Sequence, residues 1–222
     1  YGIQLSVNSI KLLNKIGFQN VSFEDKFYPN KVDFYSLKNK NKICDLDIST
    51  FNNNEAKYTT LQRFTLINFL KDKIPSNLIN YNKKVRKVNY ETENLEVIFE
   101  DNSIIKCDYL IISDGVFSKT KSLVANKEIK PSYFNSIAVR ATTNQNNLQG
   151  INPSNISLFL GPNLHSVVYP VNKSGLFNFV CILRMTLSNE ELDNYSLFDS
   201  SAFISSISTK ISKQVDLNII KN

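Results

Sequence analysis

Tryptophan is absent from the 222 residues, histidine and methionine each occur once, and cysteine occurs three times. Cys44, Cys107 and Cys181 stand far apart, with no C-x-x-C pair. One imidazole and scattered thiols exclude the usual zinc-binding patterns, so no metal site is expected. A sparse, odd cysteine set fits a reducing compartment, and a cytoplasmic location is expected. No apolar run approaches the roughly 20 residues of a membrane-spanning helix, and no leader pattern is visible. Peripheral association with a membrane and the oligomeric state are left open by the sequence. There is also no G-x-G-x-x-G, and the chain begins at Tyr1 in text that already reads as mid-domain. It is expected to be an internal fragment of a longer protein.

Charge is present but not concentrated. The formal net charge is +6, carried mostly by lysines spread along the chain, often beside asparagine. A nucleic-acid surface would gather its cations into a block or stripe, so nucleic acid is not expected as a partner. The length is that of one large domain or two small ones.

The stretch D-Y-L-I-I-S-D-G-V-F-S-K-T-K, residues 108–121, organises the rest. Tyr109–Ile112 is a short apolar run without alternation, the pattern of a strand buried on both faces of a parallel sheet. Asp114 and Gly115 follow it, where ligands of open α/β sheets bind. A carboxylate there can accept hydrogen bonds from ribose hydroxyls, and a glycine allows close approach or φ > 0. Strand-Asp-Gly is also a common turn.

Elsewhere, Tyr1–Phe18 reads as a leading loop and a helix. Leu12, Leu13 and Ile16 form its apolar face, and Gly17 its stop. Residues 32–37 and 43–48 read as a hairpin around Asn39–Lys42. A helix is expected over Thr59–Ile74, capped by Thr60, with Leu61, Leu66, Ile67 and Leu70 inward. Residues 82–106 read as a three-stranded meander leading into Tyr109. Strands are expected at 136–141 and 156–160, a helix near Phe203–Ile211, and a strand near Val215–Ile220.

The segment L-G-P-N-L-H-S-V-V-Y-P-V-N-K-S-G-L-F-N-F-V carries the second concentration of chemistry. Period-2 geometry places His165, Val167 and Tyr169 on one face of a strand, an imidazole and a phenol offered to one ligand. Pro170 should end the ladder. A partly buried His and Tyr that satisfy each other is the competing structural reading.

These stretches resemble the class A flavoprotein aromatic monooxygenases of the 4-hydroxybenzoate, salicylate and ubiquinone-biosynthesis hydroxylase type. Asp114, Gly115 and Ser118 match the family's second flavin motif, and Lys121 stands where it usually has Arg. G-I-Q-L-S-V-N-S-I-K-L-L-N-K-I-G-F is similar to its segment near the flavin ring. Arg63, Leu66 and Leu70 fit its R-x-x-L-x-x-x-L. Gly161, Pro162, His165, Val167, Tyr169, Pro170, Gly175, Leu176, Asn178 and Val180 match its G-P-x-x-H-x-V-x-Y-P-V-x-x-G-x-L-x-N-x-V.

The resemblance implies an α/β fold. A Rossmann-like, p-hydroxybenzoate-hydroxylase-type FAD/NAD(P)-binding portion (residues 1–20 and 57–124) would interleave with a β-rich substrate portion (21–56 and 125–222), the whole truncated. It implies FAD as cofactor, NAD(P)H and O₂ as co-substrates, and a small aromatic substrate hydroxylated through a flavin hydroperoxide. Gln4, Arg63, Asp114, Gly115 and Ser118 would contact the cofactor. His165, Tyr169 and Pro170 would line the substrate, with His165 accepting a phenolic proton and Tyr169 bonding the substrate oxygen. Lacking the first βαβ unit and the later Gly-Asp motif, the isolated chain is expected to be inactive and not to hold FAD tightly. The alternatives are a non-catalytic binding module, or a related reductase or halogenase; the absence of Trp speaks against the halogenases. The substrate, and NADH against NADPH, are not specified.

Overall fold

A computed structural model describes residues 1–90 and 94–214. Glu91–Glu93 of the expected turn, and the strand expected near Val215–Ile220, lie outside the described residues. The chain divides into two compact units, one built from residues 1–73 with the chain from 135 onward, the other from residues 74–134.

The first unit contains strands β1 (Gly2–Leu5), β2 (Lys26–Phe27), β3 (Lys31–Ser36), β4 (Lys42–Asp47) and β5 (Thr59–Gln62), with helices α1 (Val7–Asn14) and α2 (Arg63–Lys71). The second contains β6 (Val85–Asn89), β7 (Leu95–Phe99), β8 (Ile104–Cys107) and α3 (Thr120–Ala125). The chain then returns to the first unit with β9 (Ser136–Asn144), β10 (Ile156–Leu160), β11 (Leu164–Pro170), β12 (Leu176–Arg184), α4 (Asn189–Asp193) and α5 (Ser201–Gln214).

Two sheets form the first unit. The larger has six strands in the order β4-β3-β10-β11-β12-β9, antiparallel except where β10 runs parallel to β3. Alternation divides its faces. Ser157, Phe159, Ser166, Val168, Phe177, Cys181 and Leu183 point to one side. There Leu164, Cys181 and Leu183 pack against Ile207 and Ile211 of α5, and Phe159, Val168 and Phe177 against Leu148 and Ile151. His165, Val167 and Tyr169 point to the other side. The smaller sheet, β1-β5-β2, packs Leu61 and Ile3 against Ile10, Phe18, Leu66 and Phe69.

The hairpin β3/β4, the strands 156–160 and 164–170, and the helix around Phe203–Ile211 form as their patterns predict. Gly17 ends the first helical segment at φ +94°. Several expectations are corrected. The leading loop is the strand β1. In α1 it is Ile10 that is buried, while Leu12 is 64% exposed and Ile16 is exposed. The helix expected from Thr59 starts at Arg63, because β-branched Thr59 and Thr60 join Leu61 in a ladder with β1. Thr60 therefore caps nothing; its hydroxyl donates to the Pro170 carbonyl oxygen at 2.5 Å. Ile67 and Leu70 are exposed, and Leu66 and Phe69 face the core.

In the second unit the meander forms as expected, β6-β7-β8, with Val88, Val97 and Phe99 buried. The run it leads into is not a strand. Residues 109–113 have no regular structure, and Tyr109 and Ile111 are 89% and 87% exposed. A strand buried on both faces needs a neighbour on each edge for its N–H and C=O groups, and no described strand pairs with this run.

Candidate active site

β11 is built for a two-sided role. Its inward positions Leu164, Ser166 and Val168 are buried in the sheet's packed face, while His165, Val167 and Tyr169 share the other face. His165 is exposed, opposite Leu160 and Ile182. Tyr169 is 3% exposed, packed with Ile48, Ile156 and Val171. Four residues along a strand span about 13 Å, so the imidazole and the phenol occupy different rows of one face. They do not satisfy each other.

Tyr169 is instead tied to the first strand. Gln4 of β1 accepts a hydrogen bond from the Tyr58 hydroxyl at 2.8 Å and lies beside the Tyr169 phenol. Burial pushes the Tyr169 phenol up to about 12; the nearby Arg140 guanidinium pulls in the opposite direction, as does Gln4. Tyr169 therefore stays protonated at neutral pH. The folded-state pKa lies above the unfolded value of about 10, so the stabilisation it reports is complete below about pH 10 and is lost as pH rises toward 12. Unfolding in urea at rising alkaline pH should show the wild type losing about 1–3 kcal/mol more than Tyr169→Phe. Parallel losses in both proteins would disprove the assignment.

β1 reaches this position because Gly2 lacks a side chain. A Cβ there would sit 2.6 Å from Val171 Cγ1 and 2.7 Å from Asn178 Cβ. The Gly2 N–H donates to Asn178 Oδ1 at 2.6 Å, and Asn178 pairs with Tyr169 across the ladder. Pro170, the last residue of β11, lies beyond the ladder with β10, which ends at Val168. It is buried, and its carbonyl is occupied by Thr60.

The remaining expected cofactor residues fall in two places. Arg63 is exposed at the first position of α2, its backbone N–H bonded to the Tyr1 carbonyl at 2.8 Å. Asp114, Gly115 and Ser118 share one loop of the second unit. Hydrogen bonds from the Ser118 and Thr120 hydroxyls hold the Asp114 carboxyl below its usual range, so it is an ionised acceptor. Thr120 Oγ1 donates to Asp114 Oδ2 at 2.8 Å. Gly115 has φ +89°, and nothing approaches the position of a Cβ. Lys121 is turned onto its own loop, its Nζ donating to the Val116 carbonyl at 2.8 Å.

Tyr58 and Arg140 were not singled out by the sequence. Arg140 is an isolated cation among the small and apolar residues of β9, which was the available signal. Tyr58 gave none; it directly precedes a stretch whose strand was read as helix.

No family model matches the chain. In sequence it is similar to 6-hydroxynicotinate 3-monooxygenase of Bordetella bronchiseptica, 24% identical over 145 residues, 63% of this chain and 37% of that protein. It is also similar to a salicylate hydroxylase of Pseudomonas putida, 23% identical over 135 residues, 55% of this chain and 31% of that protein. The chain thus spans about a third of the length of these curated relatives. In fold it is similar to Klebsiella pneumoniae HpxO complexed with FAD and uric acid, with TM-score 0.70 and 16% identity over 84% of this chain and 48% of that one. A salicylate hydroxylase substrate complex gives TM-score 0.69 and 16% identity over 84% of this chain and 49% of that one. The chain has the α/β fold of these two solved proteins. Among the described residues no helix is long and apolar enough to cross a membrane.

Proposed function

We propose that this chain supplies the substrate-facing sheet and part of the cofactor site of an FAD-dependent monooxygenase that hydroxylates a small aromatic or phenolic substrate with NAD(P)H and O₂. The observation that carries the reading is the junction on the open sheet face. There Gly2, from the stretch assigned to the cofactor, donates its N–H to Asn178, from the stretch assigned to the substrate, at 2.6 Å. In this reading residues 1–20 and 57–124 serve the cofactor, and residues 21–56 and 125–222 the substrate.

Taken separately, the donors of each unit suit a part of FAD. Asp114 is an ionised acceptor for a ribose hydroxyl, beside the open backbone of Gly115. Arg63 is an exposed fork for a phosphate, in no ion pair among the described residues. Bound FAD would supply hydride acceptance from NAD(P)H and activation of O₂, which side chains cannot provide. The chain's own residues would do the rest. Val167 and Val180 offer an apolar floor for a ring. His165 accepts the proton of the substrate hydroxyl, directly or through one water. Tyr169, buried and protonated, packs beside Gln4 at the base of the pocket.

The test is incubation of the protein expressed from its complete reading frame with FAD, NAD(P)H, isotopically labelled O₂ and a panel of hydroxybenzoates and hydroxypyridines. One labelled oxygen should enter an aromatic product. Cofactor oxidation without aromatic labelling for any ring would overturn the reading. In the same protein Arg63→Ala should weaken FAD binding by about 10–100-fold, the loss expected for a charge-assisted hydrogen bond. Unchanged affinity in a flavin-fluorescence titration removes Arg63 from the cofactor site.

A further inference from the structure

We propose that Arg140 binds the substrate's phenolic oxygen as an anion, so that this face selects phenolates. The inference deepens the proposed function and rests on it.

The placement comes from the register. Arg140 pairs with Val180, which pairs with Val167. This row lies between the row of His165, Ile182 and Ala138 and the row of Tyr169, Asn178 and Thr142. All three rows point to the same side of the sheet. An aromatic ring lying on Val167 and Val180 would meet the guanidinium at its edge.

Arg140 is exposed and flanked on its strand face by the small side chains Ala138 and Thr142. The Tyr1 ring lies beside it, 5.6 Å from the guanidinium carbon to the ring centroid. Among the described residues it makes no ion pair. No carboxylate projects from β9, β11 or β12 on this face; the other charged or titratable groups there are His165, Tyr169 and Arg184, with Tyr58 and Tyr1 alongside.

The chemistry requires such a group. A ring becomes a better nucleophile when its hydroxyl is ionised, but an ordinary phenol has a pKa of about 10. Arginine stays charged at every working pH, and its planar fork suits an oxyanion. Tyr169 already feels this field, since Arg140 favours its phenolate, although burial outweighs the effect. A substrate phenol at the exposed part of the face would feel the attraction with less of the burial penalty. Its proton leaves to His165 or to water, and Arg140 keeps its own.

The test uses 4-nitrophenol, whose neutral and anionic forms absorb differently, bound to the 222-residue chain. The bound probe should titrate about one pKa below its free value, meaning about tenfold tighter binding of the anion. Arg140→Gln should abolish this preference, Arg140→Lys should keep most of it, and Arg184→Gln should keep all of it. Circular dichroism checks that each variant is folded. A bound probe that titrates at its free value, or a preference that survives Arg140→Gln, overturns the proposal and leaves an aromatic site standing. Absence of saturable binding of either form overturns both the proposal and the aromatic-substrate reading.

Discussion

Replacing His165 with Ala should slow aromatic hydroxylation by about 10²–10⁴-fold, the usual loss for a positioned base. Flavin reduction by NAD(P)H should proceed at the wild-type rate. The difference arises because reduction needs only the flavin and the nicotinamide, whereas hydroxylation needs the phenolic proton removed. His165 is the sole histidine of the sequence, and it stands exposed on the outer row of the face. Among the described residues no hydrogen bond holds its side chain, and an exposed side chain leaves no buried cavity when removed, so a lost rate would report chemistry and not unfolding. Stopped-flow measurement of the separated half-reactions, in the protein from the complete reading frame, makes the comparison. Hydroxylation at the wild-type rate from about pH 6 to about pH 9 would show that His165 has no part in catalysis.

Phe177→Ala should destabilise the first unit by about 3–5 kcal/mol, the range for truncating a buried aromatic side chain. Phe177 is 1% exposed and packs with Phe159, Val168, Leu148 and Ile151 beneath the six-stranded sheet. The cavity would be large because the stacked pair Tyr35 and Phe159, with ring centroids 5.1 Å apart, borders the same cluster and cannot collapse easily. Arg140→Gln, on the open face of the same sheet, should change stability by less than about 0.5 kcal/mol. Urea unfolding of both variants measures the contrast. A loss below about 1 kcal/mol for Phe177→Ala would mean that the packed face does not support the site as described.

Much of this is legible in the sequence, and the departures have physical causes. Alternation at His165, Val167 and Tyr169 placed them on one face of β11, because a sheet packed on one side imposes a two-residue period. The meander and the β3/β4 hairpin were readable for the same reason, with turn residues between the runs. The Thr59 segment misled because Leu61, Leu66 and Leu70 suit a helix, yet the ladder with β1 claims its first four residues. No local pattern announces a strand partner more than fifty residues away. Tyr109–Ile112 misled in the opposite sense: its composition is that of a buried strand, but burial requires neighbours that no described strand provides. The site was half visible. His165 and Tyr169 came from spacing and resemblance, while the bond from Gly2 to Asn178 and the place of Arg140 depend on register across strands distant in sequence.

The contacts that assemble the open face also determine when it can appear during folding. The Gly2 amide meets Asn178 across 176 residues of chain, and the Thr60 hydroxyl meets the Pro170 carbonyl across 110. Closing loops of that size costs entropy before any contact repays it. The β3/β4 and β11/β12 hairpins join neighbours and carry no such delay. Docking of the small sheet onto the large one should therefore follow them, so that Gln4 reaches Tyr169 as one of the last events. The hydrogen-bonded junction would then be a checkpoint: chains whose hairpins have formed would still lack an organised face until their earliest residues had returned to it.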